Sequence, residues 1–141
     1  MAYILKALLL LPFLLISSAQ ADEPQRASSP EGARLYIISP ADGETVSKMV
    51  TVKFGLQGMG VSPAGLDKAA TGHHHLIIDG EKLPDLNKPM GNEVIHFGGG
   101  QTEKTIELTE GKHTLQLILG DYRHIPHNPP VISEKITIFV K

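Results

Sequence analysis

The 141-residue chain has no cysteine and no tryptophan, and aromatic residues make up only 5% of it. Without cysteine there can be no disulfide scaffold, no thiolate-ligated zinc or iron–sulfur site and no cysteine nucleophile. No charge of one sign dominates either: 13 Lys+Arg stand against 15 Asp+Glu, a formal net charge of −2. A dedicated nucleic-acid binder usually carries a basic excess, so that class of partner is not expected. The only long apolar run, Ala7 through Ile16, is too short to span a bilayer, which takes about 20 residues. No segment gives a sustained helical period, and no internal repeat is visible.

The apolar run has another reading. Lys6 precedes it, and a polar stretch ending Ala19-Gln20-Ala21 follows. A positive start, an apolar middle and an A-x-A end make a secretory signal peptide, residues 1–21, cleaved after Ala21. The expected product is a periplasmic protein with no membrane span. Residues 22–32 (DEPQRASSPEG) are polar with two prolines and are expected to form a flexible N-terminal tether.

From Ala33 to Lys141 the chain alternates short β-type runs with turn residues. Strands are predicted at 35–38, 48–56, 74–79, 94–97, 105–108, 114–119 and 131–140. The pattern is clearest in 48–56, where Val50, Val52 and Phe54 share one face and Thr51 and Lys53 the other. It recurs in 114–119 (Leu115, Leu117, Leu119) and in 131–140 (Ile132, Ile136, Ile138 and Val140 inward, Lys135 and Thr137 outward). Asp42-Gly43, Asp79-Gly80 and Glu110-Gly111 supply turns, and Gly98 to Gly100 reads as a plain flexible turn. About seven short strands at this spacing predict an all-β, immunoglobulin-like antiparallel sandwich.

What the chain has in abundance is histidine, seven in all. In such a sandwich the connections after strands 48–56, 94–97 and 114–119 share one end. His73, His74 and His75 lie at the end of the first connection, His96 at the start of the second, and His124 and His127 within the third. Six histidines from three stretches are therefore expected at one pole. His113 lies at the other, where its ring is expected to pin the adjacent turn by a hydrogen bond to backbone. Neutral imidazole is a ligand for copper and zinc, and His73 and His75, two apart on a strand, project to one face. The first-choice ligands are His73, His75, His124 and His127, with His74 and His96 next. Asp121 is a candidate ligand or imidazole acceptor, and Met59 a candidate soft donor.

The spacing matches no dedicated zinc motif such as H-E-x-x-H. Asp22 at the expected new N-terminus excludes a copper brace built on an N-terminal histidine. No G-x-S-x-G, P-loop or dinucleotide fingerprint occurs, and no pair of carboxylates stands out, so an enzymatic activity is unsupported. The sequence therefore reads as a binding module for copper or zinc. The alternative is a non-catalytic structural or protein-interaction domain whose histidines hold loops by hydrogen bonds.

Several runs together suggest a family: Gly72-His73-His74-His75-Leu76-Ile77-Ile78-Asp79, His96-Phe97-Gly98-Gly99-Gly100-Gln101-Thr102, Gly111-Lys112-His113-Thr114-Leu115-Gln116-Leu117, Leu119-Gly120-Asp121, His124-Ile125-Pro126-His127 and Pro130 through Ile136. Across nearly all of the expected mature chain this set resembles a secreted bacterial family filed as domain of unknown function 4399. The resemblance implies a single exported all-β domain, no established activity, and a histidine set that belongs to the family pattern.

Overall fold

The computed structural model describes residues 25–141; the expected signal peptide, 1–21, lies outside the described residues. The strands are β1 (Arg34–Ser39), β2 (Thr45–Val46), β3 (Met49–Gln57), β4 (Gly60–Val61), β5 (Thr71–Ile78), β6 (Ile95–His96), β7 (Glu103–Glu107), β8 (Gly111–Gly120) and β9 (Ile136–Val140). They form a three-stranded sheet, β1-β3-β7, and a six-stranded one, β2-β9-β8-β5-β4, with β6 also paired to β5. The predicted all-β sandwich is what the chain builds. Six longer strands and the two-residue β6, to which the predicted strand 94–97 shrinks, correspond to the seven predicted strands, ordered first-second-fifth in one sheet and seventh-sixth-third-fourth in the other, as in immunoglobulin-like sandwiches.

Alternation builds the layer between the sheets. Val50, Val52 and Phe54 of β3 are buried while Thr51 and Lys53 face water. Leu115, Leu117 and Leu119 of β8 and Leu76 of β5 meet them from the opposite sheet, with Ile138 and Val140 of β9. A second, smaller cluster lies on the outer face of the six-stranded sheet. There Ile77 of β5 and Ile118 of β8 are covered by Met90 and Val94, with Leu86 and Ile132 packed alongside. Both faces of β5 and of the end of β8 are therefore buried, which no simple alternation signals.

Several boundaries differ from expectation, two of them with consequences for the site and the core. Strand β5 begins at Thr71, so the three consecutive histidines lie inside it rather than at a loop junction. Strand β9 begins only at Ile136, because Ser133 interrupts the run: its hydroxyl accepts from Leu117 N at 2.8 Å and donates to Glu134 O at 2.8 Å. Ile132 accordingly joins the outer cluster rather than the layer between the sheets. The two-residue strands β2 and β4 were not expected, since two residues carry no periodicity.

Within the segment 22–32, the described part runs along the loop after β8. Arg26 Nε donates to Pro126 O at 2.9 Å and its Nη2 to His127 O, while Ser28 bridges to Asn128 and Ser29 Oγ donates to Pro129 O at 2.7 Å. Among the described residues no helix is long and apolar enough to cross a membrane.

The packing predicts a sharp contrast. Leu117→Ala, at a fully buried site between the sheets, should cost about 2–5 kcal/mol. Phe139→Ala, 44% exposed on β9, should change stability by about 0.5 kcal/mol or less. Urea unfolding of the two variants measures the difference.

Candidate metal centre

The alternation of β5 sorts its histidines. His74 points between the sheets, where its ring lies 5.1 Å from that of Phe54. His73 and His75 point to the outer face, their ring centroids 4.6 Å apart. His96 of β6 is the direct cross-strand partner of His75, so its ring falls on the same face, 5.1 Å from His75 and 4.9 Å from His73. On the other side of β5 the residue opposite His73 is Gly120. A Cβ there would stand 2.6 Å from His75 Cε1, so the imidazole occupies space that any other residue would fill. Gly98 plays the same part for His96, whose Cε1 lies 2.3 Å from the position of a Cβ.

The fourth ring comes from the loop after β8. Asp121 N donates to Ile125 O at 2.8 Å, and its carboxylate accepts from the backbone of Arg123 (2.8 Å) and Ile125 (3.1 Å) and from the Arg123 guanidinium (2.9 Å). These bonds close a tight turn. His124 sits in it at φ 68°, a left-handed conformation costing an L-residue about 1–2 kcal/mol. His124 N donates to Asp121 O at 2.9 Å, and Met90 N to His124 O at 2.9 Å. The ring so held lies 4.4 Å from His96 and 5.0 Å from His73, and His124 Nδ1 and His73 Nε2 share a proton across 3.0 Å.

His73, His75, His96 and His124 thus each offer a ring nitrogen, all within 4.8 Å of one another. His73 and His75 are buried, His124 is partly exposed and His96 is exposed, so the group opens to solvent on one side. His73 Nδ1 and both ring nitrogens of His75 are buried with no hydrogen-bond partner. Leaving such groups unpaired is costly, and a bound cation, which takes one nitrogen from each ring, would satisfy one of the two on His75.

Of the first-choice ligands, three converge. The fourth, His127, does not: its Nε2 donates to Thr71 O at 3.1 Å, and it lies over Gly72 at the rim of the inner layer. Of the second-choice pair, His96 joins the group and His74 does not. The sequence puts His96 near the end of strand 94–97, and the structure adds the register that sets it opposite His75. Asp121 holds the turn that presents His124. Met59 packs against the core between the sheets, whereas Met90, which sequence reasoning passed over, reaches the outer face. His113 is at the far end of β8, as expected, and donates to Thr109 O at 2.9 Å, but also to the Asp79 carboxylate at 2.7 Å.

A family profile described as "Domain of unknown function (DUF4399)" matches residues 52–141, and the chain belongs to this family. That description carries no activity. Searches of curated proteins and of solved structures give no match to the chain.

The histidines also divide by their affinity for a proton. Burial, aided by neighbouring His124 and His96, holds His73 down to about 4. Burial holds His74 to about 4 and His75 to about 3, and also lowers His96. His113 is raised, because Asp79 and Thr109 O both accept from its imidazolium. In metal-free protein, histidine NMR should show His113 keeping its proton above pH 6.5 while His73, His74 and His75 stay neutral down to about pH 4. The signs for stability are opposite. The buried group's contribution is complete above pH 6.5 and is lost as pH falls towards their folded values. That of His113 is complete below 6.5 and is lost as pH rises through its raised value.

Proposed function

We propose that this protein is an exported binding module that holds one transition-metal ion, copper or zinc, between His73, His75, His96 and His124. The single observation that supports it is the meeting of four imidazoles from three separate stretches of chain, with buried ring nitrogens left without partners. Tetrahedral zinc with bonds of about 2.0–2.1 Å sets its donors about 3.3 Å apart. The His73–His124 pair is already at 3.0 Å. The other nitrogens lie within 4.8 Å of one another, so binding requires the rings to draw together. The exposed side, at His96 and His124, gives the ion a path in and out, which suits carriage or sensing. Export to the periplasm rests on Lys6, the apolar run and Ala19-Gln20-Ala21.

A purely structural role for the histidines fits His127 and His113, whose rings bond to backbone. Both nitrogens of His74 and of His75 lack partners, but His74 packs on Phe54 whereas His75 faces the rings of His73, His96 and His124, an arrangement that loop-holding hydrogen bonds do not explain.

Calorimetric titration of the purified protein with Zn(II) and Cu(II) should give one saturable site per chain, tighter than millimolar by at least tenfold. His75→Ala should weaken it tenfold or more. His127→Ala should lower the melting temperature and leave metal affinity within about threefold. Saturable binding unaffected by His75→Ala, or no binding at all, contradicts the assignment.

A further inference from the structure

The donor set of the proposed site is of one kind. Four neutral imidazoles meet, and among the described residues no carboxylate joins the group. Asp121 is committed elsewhere: Oδ2 accepts from the Arg123 guanidinium at 2.9 Å, and Oδ1 from Arg123 N and Ile125 N. Its charge is offset in part by that of Arg123, and what remains acts weakly on His73. A cation at the four nitrogens therefore keeps most of its charge, against a wall in which His73 and His75 are fully buried. The cost of a charge in such surroundings grows with its square, so a dication costs about four times as much as a monocation of similar size.

A soft donor stands beside these rings. Met90 is buried on the outer face of the six-stranded sheet. Its Cε lies 3.0 Å from the position a Cβ would take on Gly120, and His75 Cε1 and Nδ1 lie 2.6 and 3.2 Å from that same position. The thioether arm and the imidazole therefore converge over the bare backbone of Gly120. The backbone of Met90 is also tied to the fourth histidine, since Met90 N donates to His124 O at 2.9 Å. A thioether adds no charge, and it favours Cu(I) over zinc and other harder ions.

We propose that the ion this site is built for is Cu(I), taken by His73, His75, His96 and His124, with the Met90 thioether as the donor that separates it from a zinc site. The inference rests on the reading that these four histidines hold a metal. It involves no electron transfer: copper arrives and leaves in the monovalent state.

The test is a pair of competition titrations under anaerobic conditions, one with Cu(I) against bicinchoninate and one with Zn(II) against a chromophoric zinc chelator. They are run on the full protein, on Met90→Leu, which nearly conserves volume, and on Met59→Leu as a control in the other apolar layer. Wild-type protein should bind Cu(I) at least a hundredfold more tightly than Zn(II). Met90→Leu should lose tenfold or more in Cu(I) affinity and less than threefold in Zn(II) affinity, and Met59→Leu should change neither. Zinc bound as tightly as Cu(I), or a Met90→Leu variant that affects both ions alike or neither, overturns the Cu(I) assignment and leaves a metal site standing. Failure of the wild-type protein to bind either ion overturns both. The wild-type ratio decides the matter even if Met90→Leu fails to fold.

Discussion

The constraint on which the molecule turns is the burial of imidazole nitrogens that have nothing to bond. A polar group withdrawn from water ordinarily finds a partner inside the protein. Here His75 has two such nitrogens and His73 one, on adjacent outward positions of a strand whose outer face is itself covered. The surrounding structure holds this arrangement in place. Glycine at 120 and at 98 makes room for rings, a carboxylate-braced turn forces His124 into a left-handed conformation, and a second apolar cluster seals the face beside them. Strain and desolvation are thus gathered at one place, where the four rings meet.

The two sheets divide the labour. The layer between them supplies stability, and it takes His74 as one more packed ring against Phe54. The outer face of the larger sheet gathers the four imidazoles. They come from the middle of β5, from β6 and from the loop after β8, so three sit on strands and one on a loop held by bonds to Asp121 and Met90. The N-terminal residues described, from Gln25 to Ser29, brace the same loop from the other side: the Arg123 guanidinium donates to Gln25 O at 2.7 Å, and Arg26 donates to Pro126 O.

Much of this was legible in the sequence, for identifiable reasons. Alternation in Val50-Val52-Phe54 and Leu115-Leu117-Leu119 announces half-buried strands, and the turn residues between them set the strand count. The i, i+2 spacing of His73 and His75 was enough to put them on one face. The site's address was read less well. Loop-end reasoning placed the histidines at a pole of the sandwich, whereas four of them gather on an outer sheet face, because the strand starts at Thr71, three residues before the predicted start at His74. Pairing registers are set by long-range contacts, so the opposition of His75 to His96 could not be read from a two-residue strand. Nor does sequence separate His127 from His96: both are near turns, and only the three-dimensional path shows that His127 bonds to Thr71 O. Gly120 and Met90 carry no local signal at all. Their part follows from what stands beside them.

The most direct test of the account is X-ray absorption at the zinc edge on protein loaded with one equivalent of Zn(II), which counts imidazoles around the ion. The account predicts three or four nitrogen donors at about 2.0–2.1 Å with the outer-shell scattering of imidazole rings. A shell dominated by water or carboxylate oxygen, with one imidazole or none, would contradict it.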